Sequence, residues 1–361
     1  MQQQSKKVSK TDAPTESFLR ALAMLPVDHT PVWFMRQAGR YMHEYRALRS
    51  KYSMLDLIRS PELASEVTMQ PIDAFPLDAA IIFSDILPPL MGMGFSLDFV
   101  EGKGPVIANP IQTTRDVDML ATPPAREHLL YTLDAISLTR EKLSKRGIPL
   151  IGFAGAPFTL ASYAIEGGSS RTFAKTKAFM YQEPAAWKRL MTKLVTVQAD
   201  YLLEQAKSGA DALQVFDSWV GSALGLDDYL TYVEPYNIQL YAQLATAGVP
   251  VINFSQGVSA YFREATKGKG DAVSVDWRMP LQWYWEQLNY ERPIQGNLDP
   301  VLLLGPWSEL QYRIDQLLES VGSRPGHIFN FGHGILPQTD RAQILRTVEY
   351  IHERSRILRA N

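Results

Sequence analysis

The chain has 361 residues and no cysteine. That removes disulfides, iron–sulfur clusters, thiolate nucleophiles and cysteine-containing zinc sites from consideration. Net charge is also scarce. Lys and Arg number 36 against 38 Asp and Glu, −2 overall, so no global field favours nucleic acid or an anionic membrane. No apolar run approaches the roughly 18 residues of a membrane span. The first residues, MQQQSKKVSKTDAPTESF, lack the apolar core of a secretory signal and contain no Arg to support a transit function. We expect residues 1–16 to form a disordered polar lead, 17–361 to form one domain, and the location to be cytoplasmic. HExxH and GxxxxGK[ST] do not occur, and Ser218 has no GxSxG around it. A zincin, a P-loop and an esterase triad are therefore set aside. What remains is ordinary for a folded enzyme, with 46% apolar and 20% charged residues.

Eight short apolar runs recur: 31–35, 79–83, 148–153, 212–216, 249–254, 272–276, 292–296 and 326–331. Most are nearly continuous, as strands covered on both faces should be. Helical periodicity lies between them, at 61–70, 126–146, 184–208, 228–246, 278–290, 307–320 and 340–358. Ser60 and Pro61 read as a helix start, and Gly209 as a stop. Eight strands alternating with helices predict an α/β fold, a single (β/α)8 barrel, with surplus length in loops at 84–125 and 154–183. An open doubly wound sheet is the alternative fold.

Polar residues follow the apolar runs: Arg36, Asp85, Asp217 with Ser218, Asp276, Asn297 with Asp299, and His333. A barrel gathers the C-terminal ends of its strands at one mouth, so these residues should converge there. The segment 36–51, RQAGRYMHEYRALRSK, sets five cations against the single acid Glu44. Arg46, Arg49 and Lys51 read as a solvated face. Arg36 and Arg40 flank Gln37, Ala38 and Gly39 directly after a strand, and their rigid forks suit a carboxylate or a phosphate. Asp85 lies in an apolar segment, where a carboxylate must find donors or change its pKa. Met91–Met93 read as a pocket wall. Tyr163 sits on a helix entered near Pro157, its hydroxyl at the mouth or its ring in the packing.

Taken together, PVWFMRQAGRYMHEYR (31–46), FSDIL (83–87), GFAGAPFTLASYAIEGG (152–168), VFDSWVG (215–221), QGNLDP (295–300) and FNFGHGILP (329–337) resemble the uroporphyrinogen decarboxylase family, from about 17 to 358. The resemblance implies a single distorted (β/α)8 TIM barrel, a homodimer with facing clefts, and a tetrapyrrole substrate. It also implies removal of four acetate carboxyls from uroporphyrinogen III to give coproporphyrinogen III, with no metal, organic cofactor or oxygen. By the motif match, Arg36, Gln37 and Arg40, with Ala38 and Gly39 between them, correspond to a substrate-carboxylate clamp. Asp85 corresponds to the carboxylate beneath the macrocycle centre, and Tyr163, Ser218 and His333 to further pocket donors.

An ionised Asp85 would accept the pyrrole N–H groups and stabilise a cationic ring. Arg36 is the leading acid, although an arginine is ordinarily a weak one. His333 and Tyr163 are chemically easier donors at neutral pH. Arg40 and His333 would bind propionate or acetate. The rivals are a superfamily methyltransferase acting with a corrinoid protein, whose zinc site typically includes cysteine, and a non-catalytic tetrapyrrole carrier.

Overall fold

The computed structural model describes residues 16–360. The expected polar lead falls outside the described residues except for Glu16, which precedes the helix Ser17–Leu22.

Seven parallel strands form one curled sheet: β1 (Ala80–Ile81), β4 (Leu150–Gly155), β5 (Ala212–Asp217), β6 (Val251–Ser255), β7 (Ala272–Ser274), β8 (Ile294–Gln295) and β9 (His327–Ile328). The antiparallel hairpin β2 (Leu97–Val100) and β3 (Gly104–Ile107) stands apart. Residues 31–35 occupy the eighth position as a single bridge. Val32 pairs in parallel with Phe329, Phe329 N–H donates to the Pro31 carbonyl at 2.8 Å, and Asp78 N–H donates to the Val32 carbonyl at 2.9 Å. The ring therefore closes, and the (β/α)8 reading stands. Several strands are shorter than their apolar runs because side chains take the backbone donors. Met35 N–H goes to Asn330 Oδ1 at 3.2 Å, and Phe83 N–H to Thr68 Oγ1 at 2.9 Å. A donor bonded to a side chain is lost to the ladder, and the barrel distorts there.

Alternation along the strands builds two layers. Leu150, Leu213, Val251 and Val273 pack outward against the helices, while Ile151, Ala212, Ile252 and Ala272 face the barrel interior. Inside, Gln295 joins Trp33, Gln214 and Ser274 through bonds of 2.8, 3.1 and 2.9 Å. Phe18, Ala21 and Leu22 of the first helix belong to this interior cluster and plug the N-terminal end.

The outer helices follow the predicted periodicity. Ser60 Oγ caps Pro61–Ala74 through Leu63 N–H. Pro184–Lys207 ends where Gly209 adopts φ 111°, a backbone region open to glycine. The expected helix at 228–246 divides into Leu226–Tyr232 and Glu234–Leu244. Pro235 has no N–H to continue the ladder.

The two expected long loops are structured instead. Segment 84–125 contains Pro88–Gly92, the β2–β3 hairpin and Thr114–Met119, the last closed by a reciprocal Thr113–Asp116 capping box. Segment 154–183 contains Pro157–Glu166 and Ala174–Gln182. Met93 is 1% exposed in the core and Met91 packs against it, so Met91–Met93 are not a cavity wall.

Candidate active site

A cavity of about 680 Å³ opens at the C-terminal ends of the strands, lined by Arg36, Gln37, Ala38, Gly39, Arg40, Asp85, Tyr163, Ser218 and His333 among others. Its floor is aromatic. Phe153, Phe216 and Phe254 are inward-facing residues near the C-terminal ends of β4, β5 and β6. The Phe216 ring meets the other two edge-on, with centroids 5.6 and 5.8 Å away. Phe99 and Pro105 of the β2–β3 hairpin reach the cavity from one side.

Arg36 holds φ 59°, a strained left-handed backbone for a side chain with a Cβ. Its aliphatic stem lies on Gly334. A Cβ at that glycine would sit 2.7 Å from Arg36 Cγ and closer still to Cδ. Neither Arg36 nor Arg40 makes a side-chain hydrogen bond or a salt bridge with another described residue. Both cations are exposed. Gln37 differs, because its amide is committed. Oε1 accepts Phe34 N–H at 3.1 Å and Nε2 donates to the Ala79 carbonyl at 3.3 Å. It braces the loop rather than offering a free fork. Arg46, expected on a solvated face, also supports this loop by donating to the Arg40 and Tyr41 carbonyls at 2.8 and 3.0 Å. The tight approach at Gly39 is to its own loop, since a Cβ there would lie 3.3 Å from the Arg36 carbonyl oxygen.

Asp85 follows β1 and is half-buried, open only toward the cavity. Oδ1 accepts Leu87 N–H at 3.0 Å. Burial pushes its carboxyl above the usual range, opposed by the Leu87 N–H and the Arg36 charge. Tyr163 stacks on Trp219 at 4.0 Å between centroids. Burial, and then the Asp85 charge, push its hydroxyl upward, so it stays protonated. The ring of Tyr163 packs on Trp219, and the residue lines the cavity.

Burial and then the Arg36 charge lower His333 to about 4. It is therefore a neutral imidazole at neutral pH, offering one N–H and one lone pair. This corrects the expectation that His333 and Tyr163 are the easier proton donors: the first has already lost its acidic proton, and the second holds its own more tightly. The expected NMR titration of His333 shows no imidazolium transition between about pH 5.5 and 8, where an ordinary histidine would titrate. A midpoint near 6.5 would contradict the burial described here.

Four of the strand-end polar residues turn away from the cavity. Asp217 is buried, bonded by Thr159 Oγ1 at 2.9 Å, and burial pushes it to about 6. Asp276 accepts from Gly257 N–H and Tyr284 O–H at 2.7 and 2.9 Å. Asn297 donates to the Asp276 and Met279 carbonyls. Asp299 caps Pro300–Leu304. In compensation Arg278, which the motif reading missed, lines the cavity, tethered to Asp276 and stacked on Trp277 with its Cζ 4.9 Å from the ring centroid. It lies two residues beyond Asp276, so the strand-end rule read slightly further along would have included it. Among the described residues, the one His/Asp/Glu group close enough to share a metal ion is His29, Asp78 and His352, which lies outside this cavity.

Fold and mouth define a class: a (β/α)8-barrel protein with a deep, cationic, aromatic-floored cavity where enzymes of this fold carry their chemistry. The family follows from comparison. The family described as "Uroporphyrinogen decarboxylase (URO-D)" matches residues 13–354. The uroporphyrinogen decarboxylase of Roseiflexus sp. (strain RS-1) is 50% identical over 343 residues, 94% of this chain and 98% of its own. That of Thermus thermophilus is 46% identical, covering 95% and 99%. Among solved structures, a methyltransferase from Methanosarcina mazei superposes with a TM-score of 0.79 at 17% identity, covering 93% and 97% of the two chains, and shares the fold. The chain belongs to the uroporphyrinogen decarboxylase family, whose named members are carboxy-lyases.

Proposed function

We propose that this cavity binds uroporphyrinogen III and removes its four acetate carboxyls as CO2, giving coproporphyrinogen III, without a metal or organic cofactor. One observation carries the assignment of roles: a cavity-facing carboxylate, Asp85, shares its chamber with Arg36 and Arg40, neither of which forms a salt bridge with another described residue. A substrate with eight carboxylates and four pyrrole N–H groups complements that set. Asp85 has one oxygen on Leu87 N–H and lone pairs left for pyrrole N–H. Arg36 and Arg40 suit substrate carboxylates, and Arg278 adds a third cation, pre-aimed by its pair with Asp276.

Protonation of a pyrrole α-carbon makes the ring an electron sink. The acetate C–C bond then breaks, its electron pair enters the ring, and CO2 leaves. Protonation of the resulting methylene gives a methyl group, and loss of the proton first added at the α-carbon restores the pyrrole. Each step balances as R–CH2–CO2⁻ plus H⁺ giving R–CH3 and CO2. An ionised Asp85 over the aromatic floor stabilises the cationic ring more strongly than it would in water. Arg36 is the acid this reading names, by its place in the chamber beside Asp85 and not by acidity, since an arginine ordinarily gives up its proton reluctantly. Tyr163, Ser218 and His333 serve as neutral hydrogen-bonding groups. By family resemblance the working unit is a homodimer in the cytoplasm.

Anaerobic incubation with uroporphyrinogen III and no additive, followed by chromatography, is expected to give the four-carboxyl product. Persistence of the eight-carboxyl species would overturn the proposal. Binding without turnover would point to a carrier. The methyltransferase reading is not favoured, since that rival's cysteine-containing zinc site cannot be built from this chain.

A further inference from the structure

At the opposite end of the barrel, three side chains meet that the proposed reaction does not use. His29 precedes the 31–35 segment, Asp78 precedes β1, and His352 lies on the helix Arg341–Ala360. Arg36 and Asp85 each follow their partners by seven residues, across the barrel wall. His29 Nε2 lies 2.9 Å from Asp78 Oδ1, and His352 Nε2 lies 2.7 Å from Oδ2. The two imidazole centroids are 4.3 Å apart. Val32 N–H donates to Oδ2 at 2.7 Å and holds the carboxylate in place. Side-chain exposure is 15% for His29, 13% for Asp78 and 11% for His352, so the group is enclosed yet reached by solvent.

We propose that His29, Asp78 and His352 bind one borderline divalent cation of the zinc(II) class, which fastens the C-terminal helix to the base of the barrel. Two imidazole nitrogens and one carboxylate oxygen form a set that zinc accepts, with a water completing four-coordination. Nitrogen ligands favour this class over magnesium or calcium, which take oxygen. The spacing agrees. The ligand atoms all lie within 4.8 Å of one another. A tetrahedral site with bonds of about 2.0–2.1 Å places its ligands about 3.3 Å apart. The 2.9 and 2.7 Å N···O distances run to different oxygens of Asp78, so the carboxylate turns to present one oxygen to both rings as they part to admit the ion. Ligation uses the Nε2 lone pair of each ring, with any remaining ring proton on Nδ1. The carboxylate offsets one of the two positive charges.

The test uses the full chain, stripped with a chelator and titrated with cobalt(II) and then zinc(II). One equivalent of cobalt is expected to bind with the visible bands of a four-coordinate ion, and zinc is expected to displace it. At a hundredfold excess over Kd, zinc should raise Tm by about 3 °C. In His29→Gln and in His352→Gln the glutamine amide can still donate to Asp78, so far-UV circular dichroism should be unchanged. Affinity in each should fall at least about tenfold, the loss seen even when a supporting partner of a ligand is removed. No saturable binding at micromolar zinc would overturn the proposal. So would binding that survives in both variants, which would place the ion on other histidines.

Discussion

Asp85→Asn is expected to lower kcat at least about 100-fold, the effect of losing one preorganised stabilising group. Asparagine keeps an oxygen for Leu87 N–H, so the loop should stand. What is lost is the negative charge facing the ring nitrogens. Stability should move the other way. Burial raises the Asp85 carboxyl, so the native state holds the proton more tightly than the unfolded chain. The stability this residue contributes is full below its unfolded pKa and is lost as pH rises through the folded one. A permanently neutral asparagine escapes that loss. Its Tm should exceed that of the native chain at pH 7, and the gap should close toward pH 4. Single-turnover assays and melting curves at the two pH values measure both halves. Undiminished turnover in this variant would remove Asp85 from the chemistry.

Gly334→Ala is expected to lower kcat/KM by up to about 100-fold without unfolding the protein. The added methyl would enter the space of the Arg36 stem. Arg36 is already held in a left-handed backbone conformation, so its side chain must swing to yield. Displacing a positioned group by about 1 Å costs that order of rate. Gly332 makes the contrast, because a Cβ there would meet backbone, at 2.5 Å from Trp277 N and 2.8 Å from Asp276 C. The Gly334 effect should appear in steady-state kinetics with a native circular dichroism spectrum. Unchanged kcat/KM would mean that the position of Arg36 does not matter.

Much of the barrel was legible because strands buried on both faces must be nearly continuous in apolar residues. Runs such as 212–216 and 249–254 have few other readings. The reduction of 31–35 to one bridge was not legible, since it depends on Asn330 and Asp78 drawing backbone donors out of the ladder. The Thr113–Asp116 capping box was present in the sequence and went unread inside a supposed loop.

At the mouth, a strand-end carboxylate can face the cavity or serve a neighbouring turn, and residue type does not separate the two. Asp85 does the first, while Asp217 and Asp276 do the second. Arg278 and the phenylalanine floor became visible only in three dimensions, where the Phe216 ring meets Phe153 and Phe254 edge-on across neighbouring strands. The role of Gln37 likewise depended on finding both ends of its amide occupied.

That floor of rings has a consequence for proton traffic. Beneath it lies the Trp33, Gln214, Ser274 and Gln295 network, closed below by Phe18 and Leu22. Three phenylalanines carry no exchangeable hydrogen, so the hydrogen-bonded chain under them stops short of the reacting carbons. Every proton consumed in decarboxylation must then enter from above, past the arginines or along the substrate's own carboxylates. Resupply from bulk water through the mouth, rather than along a wire through the barrel axis, is the route this architecture leaves open.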